Sequence, residues 1–352
     1  MVKNRERFEN LLQNTVVAED VPSQERERLL SPLLDYVHDI IPASLFRYRE
    51  CSEIQFDAFN NNLIYAVNAQ KVNDPYDCLI RYDKQFLYDS LRRGASKEHI
   101  KQLRDSLKKG EPFPQFMASL YGEERTEILK KAILKATDEE LDRNDQIFGM
   151  DRFDFFKWIE LVFNEAESFL RHNTFIACFS ETVKSVNMWS HYADAHKGFA
   201  LEYDLRNRQI KCDKCKNIQC EDRIIHFLSP VIYSNERYDG TSFVDCFFGK
   251  QLGLFPQFDD VLFGTKAALY KSTQCAFERE WRLFLDKPGK RELLHQPYLC
   301  TEIRPIAIYY GKDISPINRK ILSSMAKEKG LKEYEMYIDP QSKRYSMKYR
   351  RI

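Results

Sequence analysis

The sequence predicts an α+β fold: a mixed, largely antiparallel sheet, with helices ahead of it and a helical block inserted into it. Three observations predict this. Apolar residues recur at helical spacing through residues 1–42 and again through 84–172. From Thr174 onward, short strings rich in β-branched and aromatic residues alternate with turn formers. Strands and helices do not alternate regularly, as they would in a parallel α/β sheet, and no internal repeat or low-complexity segment interrupts the chain.

Taken in order, "RFENLLQNTV" and "RERLLSPLLDYVHDII" each place apolar residues on one helical face, and Pro42 ends the second. They form an N-terminal helical segment, 1–42, ahead of an α+β domain over 43–352. "SLFRYRE" reads as a first strand. "NNNLIYAVN" reads as a second, bounded by turn formers. "NDPYD" is turn chemistry. The inserted block opens with "SKEHIKQLRDSLKKG", stopped by Gly110. Thr137 and Glu140 have capping-box spacing for a later helix. "DRFDFFKWIELVFNEAESFLRH" carries the richest apolar face of the block. "TFIACFS", "GFALEYDL", "VIYSNE", "WRLFL" and "IRPIAIYYG" read as strands. "SPINRKILSSMAKEKG" is a helix with a Gly stop, and "EYEMYID" with "KRYSMKYRRI" forms a terminal hairpin. A cysteine-rich loop spans 208–228.

Over 352 residues the formal net charge is +1, so a broad electrostatic grip on nucleic acid or an anionic membrane is not indicated. No apolar run reaches the ~18 residues needed to span a bilayer, and "MVKNRERFEN" lacks the apolar core of a signal peptide. Nine scattered cysteines fit a reducing compartment. A cytoplasmic protein without a membrane partner is expected.

"CAFEREWRLF" carries the clearest chemical signal. If residues 277–285 are extended, Glu278, Glu280 and Arg282 share one face, with the carboxylates ~6.5–7 Å apart along the strand. Each then raises the other's pKa unless a cation intervenes. Such a pair serves as general base, sugar-hydroxyl acceptor or metal ligand. In a helix, Glu278 and Arg282 would instead make a routine i,i+4 surface pair. "WRLFL" favours the strand.

"SVNMWSHYADAHKGFALEYD" places Trp189, His191 and Tyr192 on a short helix that Asn187 could cap, with Gly198 permitting the turn that follows. Met188, Trp189 and Tyr192 suit a core, and His191 is the most plausible pocket residue. Cys212, Cys215, Cys220 and His226 supply four soft ligands, a possible structural zinc site; the bland alternative is reduced thiols in a polar loop. Asp74 and Asp77 are either catalytic or parts of a tight turn. The basic, tyrosine-rich C-terminus suits an edge strand protected by charge better than a nucleic-acid stripe.

Together "LFRYRE", "NDPYD", "CFSE", "NMWSHYADAHKGF" and a lysine followed by "FEREWR" resemble the bacterial domain-of-unknown-function family 2971, from about Leu45 to the C-terminus. That family tends to carry a tryptophan shortly before the acidic pair, where Cys275 stands here. The order of three shorter motifs also resembles mono-ADP-ribosyltransferases of the arginine–serine–glutamate type. They are Arg47 on the first strand, Ser180-Glu181-Thr182 at a strand end, and Glu278-Arg279-Glu280. That resemblance implies NAD as substrate. Glu280 would hold the ribose hydroxyl and stabilise the charge that develops on the sugar. Glu278 would orient or deprotonate the acceptor. Ser180 would fix the second carboxylate, and Arg47 would clamp the phosphates. Tyr48, Trp189 or Tyr192 would stack on nicotinamide, with His191 and Arg282 beside them.

Two other classes compete. A metal-dependent nuclease would hold magnesium with Asp74 or Asp77 and the glutamate pair. A non-catalytic sensor or partner-binding module would use the same strings as a structural core joined by an Arg282–carboxylate network. An enzyme of the first two kinds implies a small-molecule nucleotide or nucleic acid as partner and would suit bacterial conflict, although no residue here specifies that.

Overall fold

In a computed structural model of the protein, the described residues are 2–18, 21–72, 74–94, 97–113, 126–128, 130–143, 152–206, 225–242, 244–245, 260–286 and 298–352. The fold is α+β around a ten-stranded mixed, mostly antiparallel sheet. The strands are β1 (Leu45–Arg49), β2 (Leu63–Asn68), β3 (Phe175–Ser180), β4 (Phe199–Tyr203), β5 (Ile225–Pro230), β6 (Ile232–Ser234), β7 (Tyr270–Ser272), β8 (Glu280–Asp286), β9 (Tyr298–Glu302), β10 (Ala307–Tyr310), β11 (Lys332–Tyr337) and β12 (Lys348–Arg351). One path through the large sheet runs β12-β11-β10-β4-β1-β3-β2-β9, and β8 joins β3 to β5. Among the described residues only β10 and β11 run parallel in it; β6 and β7 form a separate parallel pair.

The helices used below are α1 (Val2–Asn14), α2 (Ser23–Ile40), α3 (Glu53–Asn60), α4 (Lys84–Gly94), α5 (Lys97–Lys108), α6 (Asp138–Arg143), α7 (Arg152–Asn173), α8 (Val186–Tyr192), α9 (Phe263–Ala267) and α10 (Pro316–Glu328). Between β2 and β3 lie α4, α5, α6 and α7.

Several element ends follow from local chemistry. At the start of α6 the Glu140 N–H donates to Thr137 Oγ1, and the Thr137 N–H donates to Glu140 Oε2 at 2.9 Å, a reciprocal capping box. α10 begins with Ser315 accepting from the Asn318 N–H and with Pro316 in its first turn; Gly330 follows it at φ +63°. The cap of α8 is Ser185, which accepts from the Met188 N–H, rather than Asn187.

Alternation along β1, β4 and β10 sends side chains to two covered faces. Leu45, Phe199, Leu201, Ile308 and Tyr310 enter the main core with Phe59, Leu322 and the α1 residues Phe8 and Leu12. Phe46, Tyr48, Ala200, Ala307 and Tyr309 form a second layer with Trp189 and Met336. A third cluster, around Leu87, Ile159 and Phe163, holds α4 and α7 together.

β3 is the hinge of the architecture. One of its edges pairs with β8 along its full length, Phe175 to Ser180. The other edge is shared: β1 pairs only at Phe46↔Ser180, and β2 only at Val67↔Ile176 and Asn68↔Phe175. Between these two contacts β1 and β2 fork apart.

Candidate functional site

The site is built where β3 meets β8, beside that fork. Register sets Ser180 opposite Glu280 and Cys178 opposite Arg282. Glu280 and Arg282, two apart on β8, project to one side, as an extended chain requires. Glu278 does not belong to that strand. A 3-10 turn over Thr273–Glu278 precedes β8, and Arg279 between them adopts left-handed φ 46°. The expected pleat over 277–285 is therefore corrected at its start: Glu278 reaches the site through a turn. The turn is tied down where Ser180 Oγ donates to the Glu278 backbone carbonyl at 2.6 Å. Ser180 thus fixes the chain at Glu278, not a carboxylate.

The carboxylates converge on two cations. Arg282, with no exposed surface, donates from Nε to Glu280 Oε1 at 2.9 Å and from Nη2 to Asp77 Oδ1 at 2.7 Å. Its Nη1 donates to the Ala268 carbonyl at 2.6 Å. Lys271 on β7 donates to Glu278 Oε2 at 2.7 Å and to Glu280 Oε2 at 3.2 Å. The Tyr192 hydroxyl donates to Glu278 Oε1 at 2.9 Å. The Glu280 N–H donates to the Tyr233 hydroxyl oxygen at 2.7 Å.

Three buried acids, Asp77, Glu278 and Glu280, thus face two buried bases. Burial opposes ionisation of Glu280, but Arg282 and Lys271 outweigh it and hold its pKa well below the usual carboxylate range. Burial raises the pKa of Glu278, with Lys271 only partly offsetting it, and raises that of Asp77. Lys271 and Arg282, held between carboxylates, stay charged against the cost of their own burial. The surplus negative charge therefore bears most heavily on Glu278 and Asp77.

A cavity of about 290 Å³ opens against this cluster, lined by Glu278, Glu280, Lys271, Ser180, Tyr192 and Cys178. Its wall continues along β1 through Arg47, Tyr48 and Arg49, with Lys71 and Asp74 also lining it. Arg47, Tyr48, Ser180, Tyr192, Glu278 and Glu280 are thus brought to one cavity. Tyr48 is anchored by its hydroxyl, which donates to the Thr182 carbonyl at 2.7 Å.

Three other candidate residues are placed elsewhere. Trp189 has no exposed surface, donates from Nε1 to the Val183 carbonyl at 2.7 Å and meets Tyr48 edge-on; it does not line the cavity, so a stacking role has no open face to act through. His191 is exposed beside Phe277 and lies off the cavity wall. Arg282 stands behind Glu280, enclosed, where it positions the carboxylates without touching the cavity. Asp77, one of the two readings for "NDPYD", is buried against Arg282, while Asp74 accepts from the Tyr76 N–H as a tight turn does. Cys212, Cys215 and Cys220 lie outside the described residues, and His226 is described only by its backbone position on β5. Among the described residues no group of three or more His, Cys, Asp or Glu is arranged to hold a metal ion, and no helix is long and apolar enough to cross a membrane.

Sequence reasoning missed Lys271. Its only signal was a lysine a few residues ahead of the acidic pair. It also missed Arg5 of α1, which donates to the Val231 carbonyl, to Glu181 at 2.9 Å and to the Glu280 carbonyl at 3.3 Å, pinning the N-terminal helix behind the acids.

Residues 188–283 match a family model described as protein of unknown function (DUF2971). The matched segment carries Tyr192, Lys271, Glu278, Glu280 and Arg282, while Arg47, Arg49, Asp77 and Ser180 lie before it. Comparison with curated proteins and with solved structures finds no match.

Proposed function

We propose that the cavity binds a nucleotide and that the protein is an NAD-consuming, ADP-ribosyltransferase-like enzyme. The observation that carries this reading is that Glu278, a carboxylate with a raised pKa, lines the same cavity as Arg47. The bond between ribose and nicotinamide breaks with its electron pair leaving on nicotinamide. The positive charge that develops on the ribose is stabilised by the acidic cluster. An acceptor oxygen or nitrogen forms the new bond, and its proton passes to the Glu278 carboxylate. Glu280, already saturated by Arg282 and Lys271, keeps Lys271 charged and in place. This division of labour gives the mobile proton to Glu278 and the fixed charge to Glu280.

A cavity of this volume sits at the small end of ligand pockets, which run from roughly 300 to 1,000 Å³. It suits one part of a dinucleotide better than the whole. The test is release of nicotinamide from NAD by wild-type protein and by Glu278→Gln. Release that Glu278→Gln abolishes supports the reading; no release from wild type over a range of acceptors sinks it.

A non-catalytic binding module is the second reading, favoured by the complete enclosure of Arg282 among Glu280, Asp77 and the Ala268 carbonyl. It predicts that a nucleotide raises the melting temperature without being consumed. A magnesium-dependent nuclease draws less support, because Lys271 and Arg282 already engage at least one oxygen of each of Asp77, Glu278 and Glu280.

A further inference from the structure

We propose that Tyr65 of β2 and Tyr298 of β9 form a platform on which a nucleobase stacks, on the open sheet face beside the cavity. This rests on the nucleotide reading above and deepens it by naming the part of the guest that lies outside the acidic end. A cavity of about 290 Å³ holds one portion of a dinucleotide, so the remainder needs a neighbouring surface.

Strand register says which surface that is. Val67 stands opposite Ile176, and Ile176 opposite Phe284. Residues paired across a ladder point to one side, and alternation puts Ser180 and Glu280 on that side too. Leu63, Tyr65 and Val67 therefore share the face of the acids, and all three line the cavity. Tyr298, opposite Val67, extends the same face onto β9, beyond the cavity wall. β2 lies two strand spacings from β8, ~10 Å, and β9 three, ~14 Å.

The two faces of this strand pair are unlike. Ile64, Ala66, Leu299 and Thr301 are buried on one. On the other, Leu63, Tyr65 and Val67 are only half-buried, and Tyr298 is 47% exposed. The rings of Tyr65 and Tyr298 meet edge-on, with centroids 5.0 Å apart and planes at 87°. Perpendicular rings form a corner, with one ring as floor and the other as wall. A flat guest stacks on the floor and presents its edge to the wall, the two arrangements that aromatic rings favour. A nucleobase fits such a corner: its face covers apolar surface while the polar atoms at its rim stay in water. Stacking of this kind is a recurrent way of holding bases. A sugar has no such flat face to offer.

The experiment is titration calorimetry with adenosine and with ribose on wild type, Tyr298→Ala, Tyr298→Phe and Tyr65→Ala, with thermal melting of each variant alone. Wild type is expected to bind adenosine and not ribose. Tyr298→Ala should weaken adenosine at least about tenfold, equivalent to ~1.4 kcal/mol, while Tyr298→Phe, which keeps the ring, should bind as wild type does. Tyr298 carries the test because its side chain is largely outside the core and its loss should leave the melting temperature close to that of wild type. Tyr65→Ala should weaken adenosine too, but it removes a half-buried ring and can lower stability. Absence of adenosine binding by wild type, or equal binding by Tyr298→Ala, overturns the platform. Adenosine binding without nicotinamide release from NAD leaves the platform standing and removes only the transferase chemistry. Nicotinamide release whose KM for NAD is unchanged in Tyr298→Ala does the reverse.

Discussion

Glu278 and Glu280 share one ammonium group: Lys271 Nζ lies 2.7 Å from an oxygen of the first and 3.2 Å from an oxygen of the second. The sharing is unequal in consequence. Glu280 also holds the guanidinium of Arg282, whereas Glu278 has only a phenol, Tyr192, as its further partner. Two acids one residue apart are therefore driven in opposite directions, one into permanent charge and the other toward holding a proton.

Their amide variants should separate accordingly. Glu280→Gln leaves Arg282 and Lys271 buried with too little negative charge, and a loss of roughly 3–5 kcal/mol is expected. Glu278→Gln removes the acid that burial already disfavours and keeps an acceptor for Lys271. A change within about 1 kcal/mol is expected. Urea denaturation of both variants beside wild type measures the difference; equal losses would contradict the division of roles.

Arg282 is held by its shape as well as its charge. Three of its nitrogens meet Glu280, Asp77 and the Ala268 carbonyl, a pattern that a lysine ammonium cannot span. Arg282→Lys should therefore rescue little of the stability lost in Arg282→Met, and both should melt well below wild type.

The pH dependence has two parts with opposite signs. The Glu280 pKa is lowered by folding, so its contribution is present above the unfolded carboxylate value and is lost as pH falls through the folded one. The Glu278 pKa is raised by folding, so its contribution is present below the unfolded value and fades as pH rises through the folded one. Glu278→Gln should gain stability relative to wild type at neutral pH and lose that advantage in acid. Denaturation of the pair across pH 4 to 8, about the reference carboxylate range, measures it. If Glu278 is the base, nicotinamide release should rise with pH with a midpoint above the ordinary value of 4.5.

Gly198 stands where two chains nearly touch. A Cβ there would lie 2.0 Å from the Arg49 carbonyl oxygen, a backbone atom that cannot swing aside. Gly311→Ala meets the same obstacle at the His196 carbonyl, 2.1 Å away. Both substitutions should unfold or markedly destabilise the protein, and Gly198→Ala in particular should displace the end of β1 that carries Arg49. Melting temperature and yield of soluble protein check this.

Local chemistry made much of this fold legible. Thr137 with Glu140, Ser315 with Pro316, and the alternation through "WRLFL" each specify an element through neighbours in sequence. The α+β class followed from those elements. The left-handed turn after His191 was placed less well: positive φ falls on Asp194, Ala195 and His196, while Gly198 serves close approach. Lys271 was illegible for a different reason. It is an unremarkable residue of a three-residue strand, and its meaning comes from Glu278 and Glu280, which a turn delivers to it. Asp77 likewise gained its partner from a residue 205 positions away. Contacts at such separations leave no periodicity to read.

The forked edge of β3 has a mechanical consequence. The acids ride on the side of β3 that is zipped to β8 throughout, whereas the arginines ride on β1, attached to β3 by a single residue pair. β1 is itself paired along its whole length to β4, and β4 to β10. The sheet is thus two blocks, β3 with β8 and β1 with β4 and β10, seamed at Phe46 and Ser180, so a strain at that one pair would shift the arginine-bearing block as a unit while the ladder under the acids stays closed.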